Sequence, residues 1–198
     1  MKKVIFFWGI LCFVSTWSLN AQRIIWQDDF ETSKGWSEYE DESGQAVVKD
    51  GALVIKSKEG WIFFSKCKTN LDGNKNFTIT ADVNVKGGLE KKRYVGLIFD
   101  YNDSKNYMAF YVEKGFVWFE QHLNGVIVRQ EKDYLKQNKK DNNKQMTFEL
   151  RKKGQSVMFL VNDEETLEMD GIDVHSNRIG FMVSDDQKVS FDNVKISQ

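Results

Sequence analysis

Apolar and polar residues alternate along most of the chain beyond residue 23, which is the pattern of β-strands with one buried face. The clearest run is Phe77 to Val85, where Phe, Ile, Ala and Val alternate with Thr, Asp and Asn. Such runs recur at the spacing of about 8 to 12 residues that is typical of sandwiches and barrels. No segment has the apolar periodicity of a helix. The sequence therefore predicts one all-β domain of roughly a dozen short strands.

The central stretch, Tyr94 to Gln121, predicts three consecutive antiparallel strands with a polar turn from Asp100 to Asn106. One face of this meander supplies a predicted core, formed by Leu97, Phe99, Phe110 and Phe119. The opposite face also carries aromatic rings. A sheet buries one face in its core, so the rings on the second face need another explanation.

The first 21 residues have the layout of a signal peptide. Lys2-Lys3 is followed by an apolar run, Val4 to Val14, and then by the small and polar residues Ser15 to Ala21. The apolar run is too short to span a bilayer comfortably, so an uncleaved anchor is the less favoured alternative. We expect cleavage after Ala21, export to the periplasm or the extracellular space, and no membrane insertion once the signal is removed. Residues 22–198 then form a single domain.

Charge and cysteine content exclude several classes of function. Residues 22–198 carry 26 basic and 29 acidic side chains, a formal net charge of −3. This balance does not provide the excess of positive charge that proteins use to bind nucleic acid. Cys67 is the one cysteine of this region, and we predict that it is a small buried hydrophobe. His122 and His175 are isolated in the sequence, and no Cys/His group has zinc-ligand spacing. The sequence therefore predicts no cofactor.

Acidic residues fall into two groups that offer an alternative, a structural calcium ion. Pairing of the terminal strands would bring the first group together, which consists of Asp28, Asp29 and Asp192. The second group shares a predicted turn and consists of Asp100, Asn102 and Asp103. Neither group has EF-hand spacing. We therefore prefer the interpretation that they form turns and solvated strand ends.

Four patches of the sequence resemble the concanavalin A-like lectin/glucanase superfamily of jelly rolls. They are D-D-F-E at 28–31 with Trp36; D-G-A-L-V-I at 50–55; Phe77 to Val85 followed by G-L-I-F and N-Y-M-A-F; and R-I-G-F-M-V followed by V-S-F-D-N-V-K-I. The resemblance is nearest to secreted domains of the 3-keto-disaccharide hydrolase and glycoside hydrolase family 16 type. It implies a two-sheet antiparallel jelly-roll β-sandwich whose first and last strands are adjacent, with a sheet face that commonly binds sugars.

The catalytic signature of family 16, E-x-D-x-x-E, is not present. The nearest string runs from Glu168 to Asp173, ends in Asp instead of Glu, and falls in a predicted loop. A retaining glycosidase needs two carboxyl groups about 5–5.5 Å apart, and no motif here supplies the pair. We therefore predict no catalytic residues. A hydrolase of the 3-keto-disaccharide type stays as an alternative, with Asp100, Glu120 and Arg129 as its nearest candidates.

The aromatic residues outside the predicted core give the most specific hypothesis about function. Flat rings stack on the apolar faces of sugars, and we predict a ligand-binding set on the central strands of one sheet: Trp61, Tyr107, Tyr111 and Trp118. The competing interpretation is that these rings are packed in the core between the two sheets. The preferred function is an exported, lectin-like, non-catalytic carbohydrate-binding module whose partner is a glycan or a cell-surface protein. A structural or adhesion module of a bacterial envelope complex is the further alternative.

Overall fold

The computed structural model describes residues 22–32, 34–89, 92–113, 115–135 and 144–198. The predicted signal peptide, residues 1–21, lies outside this range. No helix long and apolar enough to cross a membrane occurs among the described residues.

Fifteen β-strands account for most of the described chain. In chain order they are β1 (Ile24–Asp28), β2 (Tyr39–Asp41), β3 (Gly44–Lys49), β4 (Ala52–Ser57), β5 (Ile62–Lys68), β6 (Phe77–Val85), β7 (Tyr94–Asp103), β8 (Asn106–Glu113), β9 (Phe116–Leu123), β10 (Val126–Tyr134), β11 (Gln145–Lys153), β12 (Ser156–Val161), β13 (Glu164–Met169), β14 (Arg178–Ser184) and β15 (Lys188–Ser197).

The strands form two antiparallel sheets. The nine-stranded sheet has the order β13-β12-β11-β6-β15-β4-β3-β2, and β1 pairs with β15, so the predicted adjacency of the first and last strands is confirmed. The six-stranded sheet has the order β10-β9-β8-β7-β14-β5 and contains the predicted meander as β7 to β9. The all-β, two-sheet prediction is therefore confirmed.

Large apolar side chains from both sheets fill the space between them. The four predicted core residues of the meander are at most 1% exposed. Phe110 of β8 stacks on Phe159 of β12 in the opposite sheet, with ring centroids 5.0 Å apart and ring planes 9° apart. Phe181 of β14 and Phe191 of β15 make a second stack across the sheets at 4.0 Å. These contacts align the two layers, because offset ring stacking favours particular separations and angles.

A buried hydrogen bond ties the segment after β1 to the core. Asp28 is 1% exposed and its carboxylate accepts hydrogen bonds from Trp36 Nε1 at 3.0 Å and from the backbone N–H of Phe30 at 2.9 Å. The Trp36 ring lies parallel to that of Phe181, with centroids 5.4 Å apart. Cys67 is buried nearby, and burial raises the pKa of its thiol to about 11, with a further contribution from the charge of Asp28. The prediction of a buried cysteine is confirmed.

Two features of the strand pattern differ from the sequence-based expectation. β13 replaces part of a predicted loop; three of its six residues are Glu, because it is an edge strand whose exposed positions are charged. β7 extends to Asp103, so the predicted polar turn shortens to Ser104 and Lys105.

Candidate functional site

The outer face of the six-stranded sheet carries a second layer of aromatic side chains, separate from the core. The strand register places its members in rows that run across the strands. One row crosses the whole sheet and consists of Lys132, Trp118, Tyr111, Gly96, Met182 and Phe64. We call this layer the aromatic face.

Ring contacts connect the aromatic face. Trp118 and Tyr111 lie nearly parallel, 10° apart, with centroids separated by 6.1 Å, and Tyr94 lies 4.7 Å from Tyr111. Tyr107 stacks on His122 at 4.3 Å and 13°. Tyr107 and Tyr111 are each 8% exposed, so their neighbours cover most of both rings. Trp118 is half-buried and keeps part of its surface open.

Gly96 makes this packing feasible. A Cβ atom there would lie 2.6 Å from the carbonyl oxygen of Phe110, 2.6 Å from Tyr111 Cβ and 3.0 Å from Met182 Cγ. Any other residue at position 96 would therefore force β7 away from β8 or displace the side chains above it.

A line of polar groups borders the rings on the β9–β10 side. Glu120 accepts hydrogen bonds from Tyr111 Oη at 2.8 Å and from Gln130 Nε2 at 2.7 Å, and its second oxygen lies 2.9 Å from His122 Nε2. The Lys132 ammonium lies 4.7 Å from the centroid of the Trp118 ring, within the range of a cation–π contact. Trp118 Nε1 is buried and has no hydrogen-bond partner among the described residues.

Sequence reasoning missed most of this polar line. The sequence predicts an isolated His122, offers Glu120 only as a candidate for catalysis, and assigns no role to Gln130. The available signal was the alternation along β9, which places Trp118, Glu120 and His122 on one face of the strand. Gln130 depends on the pairing of β10 and could not be found in this way.

Burial changes the acidity of the phenols on the aromatic face. It raises the pKa of Tyr107 to about 12, with a smaller contribution from the charge of Glu120. Burial, followed by the hydrogen bond to Glu120, raises the pKa of Tyr111 well above its ordinary value. Both phenols are therefore neutral at physiological pH, and the Tyr111 hydroxyl acts as a donor.

The structure gathers three of the four predicted binding residues. Tyr107, Tyr111 and Trp118 lie together on the aromatic face. Trp61 does not, and its predicted place on the central strands is wrong: it precedes β5, the edge strand, and is 49% exposed. Four strand spacings separate it from Trp118, a distance of about 19 Å across the sheet. The sequence pattern did not reveal that β5 ends the sheet.

The residues considered for catalysis do not converge. Asp100 accepts hydrogen bonds from the backbone N–H groups of His175 and Ser176 at 2.7 and 2.6 Å. The Arg129 guanidinium donates to the carbonyl oxygen of Asp170 at 2.7 Å and therefore points away from Glu120. Glu168 lies on β13, at the edge of the other sheet.

The acids considered for calcium are engaged elsewhere. Asp28 accepts a hydrogen bond from Trp36 Nε1, and Asp192 accepts one from the backbone N–H of Asn193 at 2.6 Å. Asp103 accepts a hydrogen bond from the backbone N–H of Lys105 at 2.7 Å. Across the part of the chain that the structure describes, no three His, Cys, Asp or Glu side chains are grouped so as to hold a metal ion.

Two of the recesses on the surface of the described residues are large enough to consider. The larger, about 560 Å³, lies on the nine-stranded sheet and includes Asp50, Asp82, Asn84, Thr147 and Asp192, with no aromatic residue in its lining. The smaller, about 450 Å³, lies at one end of the six-stranded sheet and is lined by Lys68, Leu71, Asp72, Gly73, Asn74, Asn102, His175, Ser176, Asn177 and Arg178. We call it the end recess.

The chain shares its fold with solved carbohydrate-binding and glucanase domains at low sequence identity. The carbohydrate binding module CBM66 from Bacillus subtilis is 19% identical, with a TM-score of 0.59 over 83% of this chain and 96% of that one. The carbohydrate recognition domain of Emp47p is 14% identical, with a TM-score of 0.64 over 86% and 93%. The catalytic domain of an endo-1,3-beta-glucanase (laminarinase) from Thermotoga petrophila RKU-1 is 10% identical, with a TM-score of 0.59 over 89% and 98%.

No family model matches the chain, and comparison with curated proteins gave no match. The structural likenesses confirm the predicted fold, a concanavalin A-like lectin/glucanase jelly roll.

Proposed function

We propose that this domain is a non-catalytic carbohydrate-binding module whose ligand lies on the aromatic face. The observation that carries the proposal is the stack of Trp118 on Tyr111 beside the polar line of Glu120. Export, as the layout of residues 1–21 indicates, would bring the domain to extracellular or periplasmic glycans.

The chemistry of the aromatic face suits a sugar. The open part of the Trp118 ring offers a flat apolar surface, and sugar rings present apolar C–H faces that stack on it. Glu120, His122 and Gln130 offer carboxylate, imidazole and amide groups to the hydroxyls at the sugar's rim. Because Tyr107 and Tyr111 are nearly covered, we expect contact on the β9–β10 side, where Trp118 is open. The larger recess on the nine-stranded sheet has polar groups but no ring, which makes it a poorer match to this chemistry.

The solved structures support the proposal at the level of fold. Two of them are named as a carbohydrate binding module and a carbohydrate recognition domain. A glucanase catalytic domain has the same fold, so a glycoside hydrolase is the competing function. On the neighbouring strands Ala109 and Gln130 lie opposite Glu120, and Tyr107, Tyr111 and Lys132 lie diagonal to it, so none of these cross-strand neighbours supplies the second carboxyl group that retaining hydrolysis requires. This favours binding over hydrolysis.

An adhesion or assembly module is a second candidate, and one observation favours it. The β9–β10 hairpin and the edge strand β10 expose apolar side chains, namely Leu123, Val126, Ile127 and Val128, each between 45 and 62% exposed. Exposed apolar clusters of this kind occur at protein-protein contacts.

A glycan array probed with the exported protein, with and without calcium, tests the proposal. We expect binding to a defined set of glycans and a loss of at least about tenfold in affinity for Trp118→Ala, because a stacking platform and its buried area are removed. Trp61→Ala is the matched control, since that ring is half exposed and lies at the far edge of the sheet. Absence of glycan binding, or equal losses for both variants, would overturn the proposal. Release of sugar from a bound glycan would instead establish the hydrolase.

A further inference from the structure

We propose that the end recess binds the acidic group of the glycan, a carboxylate or a sulfate, so that the ligand is an acidic oligosaccharide. The inference rests on the proposed function and specifies its ligand class.

Two cations face each other at the recess. Arg178 on β14 and Lys68 on β5 are direct cross-strand partners, and both side chains are exposed. Neither forms an ion pair with any other residue in the described ranges. Like charges that are directly opposite on neighbouring strands destabilise a sheet. A bound anion would remove that repulsion and would gain charge-assisted hydrogen bonds from both groups.

The recess has one carboxylate in its lining, and other groups already occupy it. Asp72 accepts hydrogen bonds from the backbone and side-chain nitrogens of Asn74 at 3.1 and 3.2 Å. Its second oxygen lies 3.7 Å from the Lys75 ammonium. The lining therefore keeps two cations without an ion-pair partner among the described residues, Lys68 and Arg178, and adds the polar side chains of Asn102 and His175.

Hydrogen bonds to β7 hold the recess open in a fixed shape. Ser176 Oγ donates to the carbonyl oxygen of Tyr101 at 2.7 Å, and the backbone N–H groups of His175 and Ser176 both bind Asp100. The Arg178 guanidinium donates to the carbonyl oxygen of Asn102 at 3.2 Å, which fixes the orientation of its plane. A site shaped in advance loses less entropy when a ligand binds.

The end recess is continuous with the aromatic face. Arg178 and Lys68 lie one row beyond Gly180 and Lys66 on the same side of the sheet. The Lys66 ammonium in turn lies 5.3 Å from the centroid of the Tyr101 ring. Three strand spacings and four residues of rise separate Trp118 from Arg178, a distance of about 20 Å. A ligand that reaches both is longer than a monosaccharide. The recess volume of about 450 Å³ is in the range of sites for small molecules.

The test is an array in which sulfated, uronate-containing and sialylated oligosaccharides each stand beside a neutral counterpart. We expect the strongest ligands to be acidic and to bind at least about tenfold more tightly than their counterparts, with affinity that falls as salt rises. The double variant Arg178→Gln/Lys68→Gln should abolish that preference. Lys56→Gln/Lys195→Gln is the control, because it removes the same charge from exposed positions on the nine-stranded sheet.

The outcomes separate the two proposals. Equal binding of acidic and neutral glycans, or a preference that survives the double variant, overturns the acidic site and leaves glycan binding intact. No binding of any glycan overturns both. If sodium sulfate displaced the best acidic oligosaccharide at equal concentration, the recess would bind small anions without recognising the oligosaccharide. That result would also overturn the inference.

Discussion

The phenol of Tyr111 on β8 donates a 2.8 Å hydrogen bond to Oε1 of Glu120 on β9, and the two residues are diagonal neighbours on the aromatic face. The same carboxylate accepts a hydrogen bond from Gln130 and lies against His122. Glu120 therefore connects the buried rings to the polar line beside them. Its orientation depends on this network, because a half-buried carboxylate needs donors to offset the loss of water.

Glu120→Gln should weaken glycan binding about tenfold, since an amide of the same size replaces a charge-assisted acceptor with a neutral one. The free energy of unfolding should change by about 1 kcal/mol or less, because the side-chain volume is kept. Calorimetric titration and urea unfolding measure the two quantities. Glu149→Gln is a matched control on the nine-stranded sheet, with a side chain 14% exposed against 13% for Glu120. An unchanged affinity for Glu120→Gln would remove this residue from the site.

The tyrosines of the aromatic face should resist ionisation. Burial raises the pKa of Tyr107 from 10.0 to about 12, and raises those of Tyr94 and Tyr111 further. A group whose folded-state pKa is raised contributes stability below its unfolded value and loses it as the pH rises through the folded value. Stability should therefore fall between pH 10 and pH 12. Ultraviolet titration should show three tyrosinates that appear late, together with unfolding. Ionisation of all six tyrosines near pH 10 would contradict the packing described.

Sequence alternation predicted the meander and β6 well, because each strand has one face in the core and one outside it. It could not place Arg129 and Gln130 relative to Glu120. β10 has a bulge between Ile127 and Arg129, and this one-residue shift sets Gln130, instead of Arg129, opposite Glu120. A shift of one residue exchanges the faces of a strand, and the sequence carries no clear signal for it. The catalytic grouping of Asp100, Glu120 and Arg129 fails for this reason among others.

Asp28→Ala should destabilise the domain by about 1–3 kcal/mol, because it leaves the buried Trp36 N–H without an acceptor. The midpoint of urea unfolding gives the loss. Asp28→Asn keeps an oxygen acceptor of similar shape and should cost less than Asp28→Ala. If the alanine variant were as stable as the parent, the hydrogen bond would make no net contribution to the free energy of unfolding.

Cys67 should be unreactive in the folded protein. Cys67 is 2% exposed and burial raises the pKa of its thiol to about 11, so little thiolate is present at pH 8. A chromogenic disulfide reagent should therefore label the folded exported domain slowly and the urea-unfolded domain rapidly. Rapid labelling of the folded domain would show that β5 opens at its edge.

Gly96→Ala should lower both the stability of the domain and its affinity for glycans. The new Cβ would sit 2.6 Å from the carbonyl oxygen of Phe110 and from Tyr111 Cβ, so β7 and β8 have to separate or Tyr111 has to move. Overpacking of this kind typically costs about 1–3 kcal/mol. Because Tyr111 supports both Trp118 and Glu120, glycan affinity should fall as well.

Gly180→Ala is the comparison variant for Gly96→Ala. Its Cβ would clash with the carbonyl oxygen of Ser65 at 2.5 Å, on a strand two positions away from that of Tyr111. That variant should lose similar stability but less affinity for neutral glycans. Equal losses of affinity would mean that binding follows global stability and does not depend on the position of Tyr111.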